Sequence, residues 1–284
     1  MTGVLITGGT GKTGSALAGL LRADGVPVRV ASRTPAADDP DAVRFDWADP
    51  ATHRAALRGT DRVHLVPPVN TLDPLPLVEP FLAEADRLGV RQIVLLGSAL
   101  VFPGAPGALE LAARVRARPG GVVLRASGFM QNFLAPHPMG ERIRREGEIR
   151  TASGDGRVGW IDARDIAAAA AAVLTAPEDA PHGHTDDRSD YLLTGPAALS
   201  YRGAAEILTR HIGRTVRVVP VKQEELAAAY RATGLPDAFA ASLAAVDATI
   251  RDGRDDQVST AVLDLTGHPP RTFAEFVREH VARY

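Results

Sequence analysis

The chain has 284 residues, 45% of them hydrophobic and 23% charged, the composition of an ordinary globular protein. A net charge of −2 and a pI near 6.5 provide no basic field for nucleic acid or anionic lipid, and no apolar run approaches the ~20 residues of a membrane span. The lack of cysteine excludes disulfides, thiolate metal sites and cysteine nucleophiles together; with no secretory pattern at Met1, the expected address is cytoplasmic.

Residues 3–7 form a short apolar run followed by a glycine-rich turn, and Leu17, Leu20 and Leu21 then repeat at helical spacing up to Gly25. Strand patterns follow at 26–32, 43–47 and 62–66, the last closed by Pro67-Pro68, which cannot continue a sheet. Val78, Phe81, Leu82, Ala85 and Leu88 mark a helix ending at Gly89, and 92–96 is an apolar strand reaching Gly97-Ser98. A helix over 110–118 and a strand over 122–124 complete this half.

Beyond it, 129–150 has the pattern of a loop and a helix, and 156–161 leads into an alanine-rich helix from Asp162 that is expected to pack closely on the sheet. Residues 191–194 suit a strand, while 201–212, 223–234, 237–251 and 272–283 suit helices. The third of these carries Phe239, Leu243, Val246 and Ile250 on one face, a core or subunit contact. Strands that alternate with helices and are apolar on both faces predict an α/β fold, a Rossmann-type doubly wound parallel sheet. It should span 1–125, with 151–195 returning to it. Residues 126–150 and 196–284 should form a smaller, mainly helical substrate-binding portion.

Gly8, Gly9, Thr10, Gly11, Lys12, Thr13 and Gly14 lie directly after the first strand and directly before the first helix. Glycines at 8, 11 and 14 allow a tight turn, close approach of a pyrophosphate and close helix packing, while the helix N-terminus offers free N–H groups. A nucleotide-triphosphate loop is excluded, because the spacing before Lys12-Thr13 is wrong for that phosphate cradle. An NAD site would place an acid at the end of the second strand; here stands Ser32-Arg33-Thr34. Arg33 can stack on adenine and meet a 2′-phosphate, with Lys12 as a second positive charge, so NADP(H) is the expected cofactor. A solvated surface arginine is the competing role.

Thr7–Gly14, Arg33 and Asp46-Trp47 resemble the NmrA-like, atypical branch of the short-chain dehydrogenase/reductases. The likeness continues through residues 89–96, is most specific at 124–133 (Leu-Arg-Ala-Ser-Gly-Phe-Met-Gln-Asn-Phe) and 160–167 (Trp-Ile-Asp-Ala-Arg-Asp-Ile-Ala), and extends to 193–196 and 267–273. Within the branch, the chain is similar to bacterial relatives of the ergot-alkaloid reductases of the festuclavine dehydrogenase type. The resemblance implies Asp46 and Trp47 at the adenine, Pro67 and Ser98 near the nicotinamide ribose, and Phe129, Met130, Gln131 and Asn132 over the nicotinamide. The chain departs from the pattern at Ala126, where proline is usual, and at Gly97, where serine is common.

Most short-chain reductases protonate their substrate with a Tyr-x-x-x-Lys pair. The only lysines here are Lys12 and Lys222, and Gly8 and Val218 stand four residues before them, so the pair is absent. Iminium ions, quinones and conjugated enones need little acid catalysis, which makes hydride transfer from NADPH to such an acceptor the leading expectation. Ser98 and Asn132 are the candidate catalytic residues, although Ser98 could equally bond within its turn, and Gln131 or Asn132 could cap a nearby helix. Phe129, Met130, Gln131, Asn132, His137, Met139 and Trp160 are the candidate substrate contacts. An enzyme of this kind should also hold an apolar cavity of roughly 300 Å³ or more.

His182, His184, Asp186 and Asp187 fall in a polar segment that suits a solvated loop, so no metal site is expected. His53 and His64 have no partner recognisable from sequence. A monomer or homodimer acting on a small molecule, without nucleic acid or membrane, completes the expectation. A non-catalytic NADP(H)-sensing regulator, or a cyclase or isomerase on the same fold, is the alternative.

Overall fold

The computed structural model describes residues 3–177 and 189–284. His182, His184, Asp186 and Asp187 lie outside the described residues. Seven strands form one sheet: β1 (Gly3–Ile6), β2 (Val28–Ser32), β3 (Ala42–Arg44), β4 (Thr60–Leu65), β5 (Gln92–Ser98), β6 (Gly121–Ala126) and β9 (Asp190–Leu193). Their order is β3-β2-β1-β4-β5-β6-β9, and every pairing is parallel. The order reverses between β1 and β4, the point at which such sheets open a crevice for ligands.

Helices cover both faces. On one side α1 (Lys12–Ala23), α6 (Ala163–Thr175) and α10 (Ala261–Thr266) bury Leu17, Leu21, Ile166 and Val262 against Val4, Ile6, Val94 and Leu124. On the other, α2 (Ala51–Leu57), α3 (Leu75–Arg87) and α4 (Pro106–Arg116) pack Leu57, Phe81, Leu82 and Leu111 onto Leu5, Val63, Leu65 and Ile93. The alanine run of α6 serves close approach: Ala167, Ala169 and Ala170 are wholly buried. A third apolar cluster, around Phe133, Trp160, Tyr201 and Phe276, gathers the rest of the chain. It is built by α5 (Pro138–Glu146), α7 (Tyr201–Ile212), α9 (Asp237–Arg251) and α11 (Phe273–Glu279), with α8 (Gln223–Arg231) packed beside α9. Two small ladders brace it: β7 (Glu148–Thr151) pairs parallel with β11 (Arg217–Pro220), and β8 (Arg157–Val158) antiparallel with β10 (Leu199–Ser200).

The third strand departs from its expected extent of 43–47. It ends at Arg44 because Asp46 turns the chain: its Oδ1 accepts the Ala48 N–H at 3.0 Å, and its own N–H donates to Thr52 Oγ1 at 3.1 Å. Helices α2 and α10, seven and six residues long, are too short for their periodicity to stand out in the sequence. The last helix begins later than expected, since Thr272 is its cap, in a reciprocal box with Glu275.

Candidate active site

Because the seven strands are parallel, their carboxyl ends share one edge, and the candidate residues fall along it in sheet order. Trp47 follows β3, Arg33 follows β2, the glycine loop follows β1, Pro67 follows β4, Ser98 ends β5, and Phe129–Asn132 follow β6. Thr7 fastens the centre of this edge, since its Oγ1 accepts the Val66 N–H at 2.7 Å and donates back to a β4-edge carbonyl, Val66 O at 3.1 Å. The loop then turns through Gly8, whose φ of +61° favours glycine, and the Gly11 N–H closes back on Gly8 O at 2.9 Å. At Gly14 a Cβ would lie 2.4 Å from Gly8 O, so only a bare Cα lets α1 start this close to the loop.

Helix α1 has no side-chain cap, and its first N–H groups have no partner among the described residues. The Thr13 hydroxyl beside them is buried and likewise unpartnered, an arrangement suited to an anionic group. Arg33 is exposed and makes no side-chain hydrogen bond or ion pair among the described residues, so its guanidinium is open to a further phosphate. Half-buried Trp47 meets Phe45 and Phe81 edge-on, with ring centroids 4.7 and 5.3 Å apart. The residues present fit a phosphorylated dinucleotide.

Lys12 does not turn toward Arg33. Its ammonium donates to Asn132 Oδ1 at 3.2 Å, and desolvation lowers its pKa. The bond also orients the amide: an ammonium can only donate, so Oδ1 faces Lys12 and the Asn132 Nδ2 group is left to donate elsewhere. His137 caps α5, its Nδ1 accepting the Met139 N–H at 3.2 Å. Burial, reinforced by the charge of Lys12, pushes its pKa down to about 4, so the imidazole is neutral near pH 7. Ser98 is exposed, and its Oγ donates to Leu100 O at 3.0 Å, the turn bond that competed with a catalytic role.

Three expected substrate contacts are held by partners within the protein. Gln131 is tied inward to the start of α6, with Nε2 donating to Asp162 Oδ1 at 2.8 Å and Oε1 accepting the Ala163 N–H at 3.0 Å. Met130 is 1% exposed and belongs to the third apolar cluster. Trp160 is 3% exposed; its ring packs against Phe133 and Tyr201, and its Nε1–H donates to Leu199 O at 3.1 Å. Each has its polar or apolar needs met inside the protein, and Met130 and Trp160 are buried. Phe129 is half-buried against the sheet-side core. Met139 lines a cavity of about 100 Å³, smaller than the cavity expected from sequence. Sequence reasoning did not single out the cavity's polar residues Tyr201, Tyr230 and Asp247. The one signal was an acid, Asp247, inside the apolar stripe of α9. Among the described residues no group of three or more His, Asp or Glu side chains is placed to hold a metal.

A family model described as NAD(P)H-binding matches residues 8–177. The chain is 42% identical to the uncharacterized oxidoreductase YesF of Bacillus subtilis (strain 168), over 98% of this chain and 95% of that protein. It is 37% identical to agroclavine dehydrogenase of Claviceps fusiformis, over 98% and 96%. Among solved structures it resembles the NADPH-dependent quinone oxidoreductase QOR2 of Escherichia coli complexed with NADPH. That match has a TM-score of 0.78 and 27% identity, and covers 97% of this chain and 99% of the other.

Proposed function

This chain belongs to the NAD(P)H-binding family, in its NmrA-like form, and is an NAD(P)H-dependent oxidoreductase; from that premise we propose that it uses NADPH to reduce a small activated acceptor, an iminium ion, enone or quinone-like molecule, in secondary metabolism. The observation that carries this reading is that the candidate acids facing the nicotinamide end of the carboxyl edge are engaged or neutral. Ser98 donates to Leu100 O, Lys12 directs its ammonium at Asn132, and His137 is neutral. Reduction of an iminium ion ends at a neutral amine and needs no proton. Enones and quinones leave enolates or phenolates that water can protonate. The absent Tyr-x-x-x-Lys pair supports the same conclusion.

When bound, the reduced nicotinamide supplies the hydride. The loop from Gly8 through Gly14 gives the phosphates room and N–H donors, Arg33 takes the 2′-phosphate, Asp46 and Trp47 flank the adenine, and Pro67 and Ser98 border the ribose. Asn132 orients the acceptor through Nδ2, while Phe129, His137 and Met139 exclude water around it. The portion that closes over the acceptor is assigned to 126–150 and 196–284.

Titration of wild-type protein and Arg33→Ala with NADPH, NADP⁺, NADH and NAD⁺ tests the assignment. Loss of one charge-assisted contact of about 1.5–3 kcal/mol should weaken NADPH by roughly 10- to 100-fold and leave NADH within about twofold. Equal loss for both cofactors would defeat the NADPH assignment. Binding of oxidised forms alone would favour a redox-sensing regulator.

A further inference from the structure

The cavity beside Met139 draws mainly on helices α7, α8 and α9, which carry none of the cofactor residues named above. Tyr201 opens α7, Tyr230 stands near the end of α8, and Asp247 lies in α9, with Leu226 and Met139 supplying apolar wall. Asp247 is 6% exposed and Tyr201 7%, and what they leave open faces the cavity. Both bonds to Asp247, from Thr151 Oγ1 and the Ala152 N–H at 2.7 Å each, fall on Oδ2. Its Oδ1 and the phenol oxygens of Tyr201 and Tyr230 have no hydrogen-bond partner among the described residues, yet all three residues line the same space.

Charges of both signs line this space, but the Asp247 carboxylate has no ion-pair partner within 4 Å among the described residues. Burial, and after it the Asp247 carboxylate, raises the pKa of both tyrosines, and burial raises that of Asp247 itself. Two arginines line the cavity, but each already has a carboxylate: Arg142 donates to Glu146 Oε2 at 3.2 Å, and Arg150 to Glu148 Oε2 at 3.1 Å. Exposed Glu225 adds a further acid to the lining. A buried carboxylate with an open oxygen, beside two tyrosine hydroxyls, suits a cation that can donate N–H bonds. About 100 Å³ admits an ammonium with small substituents and little more.

We infer that this cavity is an amine subsite, which receives a protonated amine of the substrate through Asp247 Oδ1 and the tyrosines while the hydride-accepting carbon stays at the carboxyl edge. The two places adjoin, because the Met139 N–H at the cavity is bonded to His137 Nδ1 at the edge. The inference rests on the reductase reading and narrows its substrate to acceptors that also carry a basic nitrogen.

The test uses the full chain saturated with NADPH at neutral pH. Ethylamine, a cation there, and ethanol, its neutral counterpart of similar shape, are titrated calorimetrically. The wild type should bind ethylamine about tenfold more tightly than the alcohol. In Asp247→Asn that ratio should fall to about one, with alcohol binding and NADPH affinity unchanged. Should Asp247→Asn fail to fold, Tyr230→Phe, which keeps the ring and removes one acceptor, should lower the ratio about threefold. Equal binding of the two probes by the wild type, or an undiminished ratio in the variant that folds, overturns the amine subsite. NADPH binding in the same cells separates the outcomes: its loss in the wild type defeats the reductase reading, and its retention without amine preference defeats this inference alone.

Discussion

Gly14 and His64 illustrate opposite demands on a single residue. Gly14 is required by shape, since any Cβ there would collide with the backbone of Gly8. His64 is a chemical misfit: it is wholly buried in β4, opposite Ile6 and Val94 in register, and neither ring nitrogen has a partner among the described residues. Burial pushes its pKa down to about 4. Because that folded value is below the usual 6.5, the neutral ring suits the fold at higher pH, and stability is lost as pH falls from 6.5 toward 4. The full span amounts to about 3 kcal/mol. His64→Leu should therefore be more stable than wild type by about 1 kcal/mol at pH 7, because it removes two unsatisfied buried nitrogens. The gap should widen by up to about 3 kcal/mol on acidification. Urea unfolding of both proteins across that window checks it, and a constant gap would show that His64 does not titrate as described. His137, lowered for the same reason, and Asp165, raised to about 6 by burial, act in both proteins and cancel in the difference.

Helix α6 shows how one element is held from both ends by residues remote in sequence. At its start, Asp162 accepts the Arg164 N–H at 2.9 Å, and Gln131 accepts the Ala163 N–H while donating to Asp162. At its end, Arg62 donates to Leu174 O, and Gln92 Nε2 donates to Val173 O at 3.2 Å, so two strands satisfy carbonyls the helix itself cannot. The alanines between let α6 lie close to α1, beneath the glycine loop, and so the position of the cofactor edge depends on the helix. Gln131→Ala should cost about 1–2 kcal/mol, the loss of a cap and of a partner for a buried carboxylate. Gln131→Glu should cost more, since it sets a second carboxylate against Asp162. Denaturant midpoints for both variants decide this; an unaltered midpoint in Gln131→Ala would return Gln131 to the substrate contacts.

Across the whole molecule, the sheet and the C-terminal helices are joined by a few polar ties over a continuous apolar contact. Arg164 is central, reaching Asp162 Oδ2 at 2.7 Å and Glu279 Oε1 at 2.6 Å in α11. Asp165 adds a bond from the Arg271 N–H at 2.9 Å. On the opposite side, the loop after β5 meets α9 through the Phe102–Phe239 ring pair and the Ser242 Oγ bond to Pro103 O at 2.7 Å. The ties differ in weight. Asp162 is fully buried, so Arg164→Ala removes its nearest ion-pair partner while leaving the Gln131 and backbone bonds, and should cost roughly 2 kcal/mol. Glu279 is solvent-facing, and Glu279→Ala should cost less than about 1 kcal/mol. Chemical unfolding of the two variants side by side checks the ranking, and equal losses would refute it.

The amino-acid sequence by itself determined the elements whose signal is local. The parallel strands announce themselves by continuous apolar runs, the phosphate loop by glycines between a strand and a helix, and α7 and α9 by apolar repeats that end where the helices end. These depend on backbone sterics and on burial periods of two and 3.6 residues, which neighbouring residues carry. What only the tertiary structure decided is which distant groups meet. Lys12 finds Asn132 across 120 positions instead of joining Arg33, and Gln131 turns to α6 instead of a substrate. Glu148 pairs with Arg217 through a two-stranded ladder, and Asp247 closes a cavity with two tyrosines. No local pattern encodes such meetings. They follow from how the helices dock, and that docking is set by the sum of many apolar contacts before any one polar partner is chosen.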